Sequence, residues 1–365
     1  MTITFLPGLQ LCEQFYWQAV QPILDAHFPR LPHAAARLES GSEVLGFDAP
    51  MSTDHDWGPR LQLFLCEDDQ PLAPTIWDTL AIHLPHEFSG YPTNFTPPDP
   101  TDNGTQLLQA THTGPVNHRV QILTAQGFFQ DHLGFDLSQR LTPADWLTFP
   151  EQKLRTLTAG AVYHDGIGLN EIRGRFASYP HDVWLYLLAA GWARIGEEEH
   201  LMGRAGLAGD EVGSALIGAR LIRDVMRLCF LMERVYAPYP KWFGTAFRHL
   251  TSGPELYPVL HEALAARTWQ ERERHLIKAY EFLAARHNAL ALTEPLPEKV
   301  QPFFNRPFQV ITHNGIIEAL LKQIVDPEVQ RIAQHRLIGS LDLFSDNTAL
   351  LSHAGWREKV REIFT

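Results

Sequence analysis

Apolar residues recur at helical spacing between Leu9 and His27, at Leu11, Phe15, Ala19 and Ile23, and Pro29 and Pro32 end the run. The stretch Ala34-Ala35-Ala36-Arg37-Leu38 reads as a short buried strand that stops at Ser40-Gly41-Ser42. A second strand is predicted at Arg60-Leu61-Gln62-Leu63-Phe64-Leu65 and a third from His118 to Thr124. Between them, Tyr91 to Pro115 is rich in Pro, Thr, Asp, Asn and Gly, which predicts a long surface loop, either a lid or a plain irregular excursion. From about Pro143 the pattern turns helical. Asp182 to Met202 is one helix, and Glu211 to Val235 is another, with Val212, Leu216, Ala219, Ile222, Met226 and Phe230 along one face. Thr268-Trp269-Gln270-Glu271 fits a capping box that opens a helix to about Ala289. Asp326-Pro327 supplies an N-cap with proline at the first helical position, and Gly339 suits a helix end. The pattern predicts a small domain of strands and helices over residues 1–142, followed by a larger helical domain over residues 143–365.

Composition narrows the class. At 45% hydrophobic and 20% charged the chain suits a soluble globular protein, and no stretch has the apolar length of a membrane helix. Cys12, Cys66 and Cys229 are far apart and without metal-ligand spacing, so buried reduced thiols are expected. With no basic, apolar leader at the N-terminus, a cytoplasmic location is expected. The formal net charge of −12 argues against nucleic acid as partner and favours a cationic small molecule.

Candidate chemistry concentrates between Gly41 and Asp56. A Gly41-Ser42 pair after a strand can turn backbone N–H groups, with the Ser42 hydroxyl, towards the phosphates of a nucleotide. Asp54 and Asp56 are two residues apart, so on an extended segment both carboxylates project from one face, their Cα atoms roughly 6.6–6.8 Å apart. Such a pair can converge on one or two hard cations such as Mg²⁺ or Mn²⁺. Nucleotidyl transfer needs such ions to neutralise a triphosphate and steady the leaving pyrophosphate. Asp in a turn or a helix cap is the plainer alternative.

The order strand, Gly-Ser, spacer, D-x-D, strand resembles the signature of the DNA-polymerase-β-like nucleotidyltransferase superfamily. The fuller run Gly41-Ser42, Gly46-Phe47-Asp48, Ser52 and Asp54-His55-Asp56-Trp57-Gly58-Pro59-Arg60 is similar to a bacterial branch carrying domain of unknown function 4037. The likeness continues through Asp145-Trp146-Leu147, Tyr179 to Trp184, Gly209-Asp210-Glu211 and Tyr239 to Gly244. It implies an α+β fold: a small nucleotidyltransferase-type mixed sheet with helices, then a mainly α-helical C-terminal domain. It also implies ATP or another nucleoside triphosphate as co-substrate, with Asp54 and Asp56 as metal ligands and catalytic residues. The acceptor is left open by the resemblance; a hydroxyl-bearing small molecule is one possibility, a protein or RNA another. Relatives supply a third carboxylate from a later strand, where this chain offers Val120-Gln121-Ile122. Glu211 is the candidate catalytic base by analogy with antibiotic-modifying relatives, and Asp210 beside it a candidate substrate ligand. Helix capping by Asp210, with Glu211 favouring the positive end of the helix, is the alternative.

Lys241, in Ala237-Pro238-Tyr239-Pro240-Lys241-Trp242, is a candidate for the triphosphate, or else packs its stem on an aromatic ring. Arg220, Arg223, Arg227 and Arg234 share a helix face that reads more readily as a salt-bridged surface than as a phosphate groove. His-Asp pairs at His55-Asp56, His164-Asp165 and His181-Asp182 raise a metal-dependent phosphohydrolase as a further alternative. Trp57-Gly58-Pro59 and Pro180 place two of these pairs outside helix interiors, where such an enzyme would need them. A catalytically silent nucleotide- or partner-binding module is the non-enzymatic alternative.

Overall fold

The structure is a computed structural model and describes residues 5–102 and 104–365, with the side chain of Asp54 outside that set. Internal contacts divide the chain into two compact units. The first comprises Met1–Arg140 with Lys153–Ala177, and the second Leu141–Gln152 with Ser178–Thr365. The expected boundary at residue 142 therefore differs from the observed division: Lys153–Ala177 returns to the first unit because it carries a strand of its sheet.

In the first unit, α1 (Gly8–Phe15), a π turn (Tyr16–Val20) and α2 (Gln21–His27) follow one another without a break, as the periodicity predicts. The strands are β1 (His33–Arg37), β2 (Arg60–Leu65), a short hairpin of β3 (Glu87–Phe88) and β4 (Tyr91–Pro92), β5 (Arg119–Thr124) and β6 (Ala161–Asp165). The main sheet has the order β5-β2-β1-β6, with β1 antiparallel to β2 and β6, and β2 parallel to β5. β1 and β2 are buried along their whole length, which follows from their central places. Alternation then sorts their side chains. Leu61, Leu63 and Leu65 pack with Ala35, Phe15, Tyr16, Val20 and Leu24, and with Ile76 and Leu80 of α3 (Ala73–His83). Full burial of each leucine contributes about 1.5–3 kcal/mol. The opposite parity of β2 and β5 is polar near its start: Arg60 pairs in register with Arg119, and Gln62 with Gln121. On that polar parity Arg60 is bonded to Glu43 and Arg119 to Asp56.

Two expectations for this unit need correction. The stretch from Tyr91 to Pro115 is not a plain surface loop. It folds back on itself through Thr96 N–H to Leu107 O (2.9 Å), Asp99 N–H to Thr105 O (3.0 Å) and Gln109 N–H to Asn94 O (2.9 Å), and it buries Phe95 and Thr93. The reversal at Asp99–Thr105 is a turn built from the Pro, Asp and Gly that looked like loop residues. β6 was absent from the strand reading because Ala-Val-Tyr-His-Asp is a half-buried edge strand with a short apolar content.

Four short helices, α4 (Ala125–Leu133), α5 (Pro143–Thr148), α6 (Glu151–Thr158) and α7 (Leu169–Gly174), precede the long elements of the helical second unit, α8 (His181–Leu207), α9 (Glu211–Met232), α10 (Pro240–Arg248), α11 (Gly253–Ala265) and α12 (Trp269–Ala289). Thr268 caps α12, and Asp326 caps the helix Pro327–Ala333 by accepting from Glu328 and Val329 N–H, both as expected. Gly339, at φ 74°, lies beyond that helix and precedes the short helix Leu341–Phe344. In α9 Ser214, Gly218, Leu221, Val225 and Leu228 are buried together with the expected Ile222 and Phe230, while Val212 and Leu216 are exposed. In the first turns the face is rotated from the expected one, where α12 crosses over small residues. A Cβ on Gly218 would lie 2.3 Å from Cδ of Arg272, whose guanidinium donates to Ser214 Oγ at 2.8 Å. Among the described residues no helix is long and apolar enough to cross a membrane.

Candidate functional site

The Gly41-Ser42 turn and the start of β2 are joined by a buried ion cluster. Glu43 Oε1 accepts from Arg37 Nε at 2.9 Å and from an Arg60 terminal nitrogen at 2.6 Å, and all three side chains are at most 10% exposed. Arg37 also donates to the carbonyls of Leu38 and Ser40, which closes the turn. Burial opposes the charge on Glu43, but Arg37 and Arg60 outweigh it and hold its carboxyl below the usual range. Burial, with Arg37 as a like charge, lowers Arg60 to about 10. Gly41 sits at φ 146°, and a Cβ there would meet the Glu43 carboxylate at 2.4–2.7 Å. Glycine is thus required at this position by close packing inside the protein, whatever else approaches it.

The Asp54–Asp56 segment does not lie on a strand as expected. Pro50–Asp54 is a 3₁₀ turn opened by proline, His55 is extended, and Asp56 takes a left-handed conformation at φ 47°, which aspartate tolerates better than most residues. The simple same-face alternation therefore fails here. Asp56 is held to the folded-back segment by its N–H to Gln106 O (3.1 Å) and by Gln106 N–H to its Oδ1 (3.3 Å). Its carboxylate also accepts from the Arg119 guanidinium, at the start of β5. Asp48, from the same motif, accepts from Gly8 N–H (2.7 Å) and Trp57 Nε1 (3.2 Å), which fastens the start of α1 to the segment.

At the β5 position considered above for a further carboxylate, Gln62 Nε2 donates to Gln121 Oε1 at 3.1 Å, and Gln62 Oε1 accepts from Leu38 N–H at 3.0 Å. The described residues hold no group of three or more metal-ligating side chains. A cleft of about 370 Å³ opens beside Arg119 along β5; Gln106, Gln121, His118 and Trp77 line it. His118 Nε2 faces Trp77 O at 3.0 Å and its Nδ1 accepts from Val120 N–H at 3.1 Å, which fixes the tautomer with the proton on Nε2. Burial lowers His118 to about 4, so the ring is neutral at pH 7.

The candidates of the second unit all have partners there. Asp210 caps α9 by accepting from Gly213 N–H at 2.7 Å. Glu211 accepts from Trp269 N–H at 3.2 Å and lies 3.6 Å from Arg272, so it ties α9 to α12. Lys241 sits over the Trp242 ring, 5.0 Å from its centroid. The arginine stripe is largely salt-bridged: Arg220 to Glu198 (2.9 Å), Arg223 to Asp346 (3.1 Å) and Arg227 near Glu151 (3.8 Å), with Arg234 donating to Tyr179 O at 2.8 Å. Asp182 accepts from Val325 and Asp326 N–H, and Asp165 of the first unit from Leu169 and Asn170 N–H, so these two His-Asp pairs carry backbone contacts. The signal that sequence reading missed is Arg119 with Gln106, residues distant in sequence that meet Asp56 only when β5 pairs with β2.

Comparison with known proteins adds two findings. The family model described as a domain of unknown function, DUF4037, matches residues 146–243, a span that includes Asp210, Glu211 and Lys241 and excludes Gly41, Ser42, Asp54 and Asp56. Among solved structures, the chain is similar to a nucleotidyltransferase-like protein from Exiguobacterium sibiricum 255-15. The two are 13% identical with a TM-score of 0.34, over 75% of this chain and 78% of that one. No curated protein matches the chain.

Proposed function

We propose that the protein is a metal-dependent nucleotidyltransferase that moves a nucleoside monophosphate, AMP from ATP, onto a hydroxyl-bearing acceptor. One observation carries the reading: Glu43 clamps the Gly41-Ser42 turn to Arg60, the first residue of the central strand that Asp54 and Asp56 lead into. The two halves of the motif, separate in sequence, thus meet at one end of one sheet.

The reading takes a magnesium ion delivered with a triphosphate, since the described residues hold no preassembled carboxylate cage. Mg²⁺ is commonly held by one or two carboxylates together with substrate phosphates and water, and Asp54 and Asp56 would be those carboxylates. When bound, the ion would neutralise phosphate charge and lower the pKa of the attacking hydroxyl. To hold the ion Asp56 would give up its Arg119 partner, and that guanidinium would then be available to a phosphate oxygen. The Gly41-Ser42 turn offers backbone N–H groups and a hydroxyl to the same phosphates. The acidic net charge favours a cationic small acceptor. Asp210, Glu211 and Lys241 are not needed for this reading.

A second reading, a module that binds nucleotide without transferring it, is favoured by the Gln62–Gln121 amide pair at the third-carboxylate register. Calorimetric titration with Mg²⁺ and ATP tests the first step common to both. Binding that needs the metal and is lost in Asp54→Asn and Asp56→Asn supports the metal assignment. Equal binding by parent and both variants refutes it.

A further inference from the structure

The cleft along β5 has a composition that the phosphate chemistry does not use. β5 is an edge strand of the main sheet, so one row of its backbone N–H and C=O groups faces away from β2, and four consecutive residues, Arg119 to Ile122, line the cleft. Across from them Trp77 of α3 is 37% exposed, although an indole in a helix packed on a sheet is ordinarily a core residue. One side of that indole is backed by the His118 ring, with centroids 4.7 Å apart and planes tilted by 37°. His118 is itself locked by hydrogen bonds at both ring nitrogens, so the indole is held rigidly from behind. The remaining polar lining is amide: Gln70, Gln106 and Gln121. Gln121 accepts from Gln62 through Oε1, which orients its amino group as a donor. Arg119 closes the end nearest Asp56.

We propose that this cleft is a nucleoside pocket that takes a purine base, with the sugar directed past Arg119 towards Asp56. The inference deepens the transferase reading and rests on it only for the phosphate end. A fixed indole and neutral amides, with no carboxylate among the described lining residues, match a flat uncharged heterocycle with donors and acceptors around its rim. The Gln121 amino group can donate to a ring acceptor such as N7 of a purine. The volume of about 370 Å³ lies within the range of small-molecule sites. A cationic ligand would meet Arg119, and an aliphatic one would make no use of the amide side chains of the lining.

Calorimetry on the full chain with two separate probes tests this: adenosine without phosphate, and tripolyphosphate with Mg²⁺. Adenosine is expected to bind the parent and Asp56→Asn alike. Trp77→Ala should weaken it about ten-fold or more, from the loss of stacking, while Trp77→Phe keeps most of the affinity. Gln121→Leu, at an exposed position, gives a second test if Trp77→Ala does not fold, and should weaken adenosine as well. Adenosine that fails to bind, or binds equally to Trp77→Ala or Gln121→Leu, overturns the pocket. Tripolyphosphate binding that depends on Asp56 would then leave the transferase reading standing. Adenosine bound in the cleft with no tripolyphosphate binding would support the pocket and count against transfer.

Discussion

Glu43→Gln is the most informative single change in the first unit. Glu43 is 3% exposed and lies between Arg37 and Arg60, which are as deeply buried. The substitution keeps the shape and one acceptor oxygen, removes the only negative charge in the cluster, and turns an amide N–H₂ towards guanidinium groups. A buried net charge of one becomes two. Breaking a buried ion pair by removing one partner costs about 3–5 kcal/mol, because the remaining charge stays desolvated and uncompensated. At roughly 2–4 °C per kcal/mol for a unit of this size, the melting transition should fall by about 6–20 °C. Near-ultraviolet circular dichroism during a thermal melt is the assay, since Trp57 is packed close to the turn through Gly8 and reports its loss. The pH dependence follows the same cluster. The carboxyl of Glu43 is lowered in the folded state, so its contribution is present above the usual carboxylate range and fades as pH falls through the folded value. A Glu43→Gln protein that melts within a degree of the parent and keeps the acid sensitivity of the parent would refute the claim that this cluster holds the Gly-Ser turn to β2.

Asp56→Asn should leave the fold intact, because its Arg119 pair is partly exposed and worth under about 1 kcal/mol, yet lose metal-dependent nucleotide binding by calorimetry. Gly41→Val should destabilise the first unit by more than about 1 kcal/mol in denaturant melts, since a Cβ would strike the Glu43 carboxylate in a conformation that favours glycine. In the second unit, burial and the neighbouring Asp342 raise Glu151 to about 7, and burial raises Glu199 to about 7. Both bind protons more tightly folded than unfolded, so stability should fall as pH rises from about 4.5 to about 7, by up to about 1.4 kcal/mol per pH unit for each proton released. Glu151→Gln should flatten that slope in chemical denaturation at pH 5 and pH 8, and an unchanged slope would count against the protonated form.

The periodicity of the chain carried the main elements because their signals are local. The first four residues of β2 and of β5 alternate polar and apolar, and Thr268 and Asp326 stand where helix caps are needed. β6 escaped because an edge strand with four half-buried residues and an exposed Asp165 has little pattern, and it is this strand that moves the division between units. The stripe of α9 holds at Ile222 and Phe230 but fails in the first turns, at Val212 and Leu216, where packing is set by Arg272 crossing Gly218, a fact about another helix. In the site, the Gly41-Ser42 turn was legible as a turn, while the reason for its glycine, the Glu43 carboxylate, was not. The D-x-D spacing suggested a strand face; the proline of the 3₁₀ turn and the left-handed Asp56 remove it. Arg119 and Gln106 were invisible as partners of Asp56 because they join it only through tertiary pairing.

Transfer itself is tested most directly by following two labels of ATP in parallel. The purified chain is incubated with Mg²⁺, a panel of aminoglycosides, RNA and cell protein, and ATP labelled at either the α- or the γ-phosphate. The proposal predicts that the α-label moves to an acceptor, that the γ-label leaves as pyrophosphate, and that Asp56→Asn abolishes both. Movement of the γ-label to an acceptor, or release of orthophosphate with no α-label transferred, would contradict it.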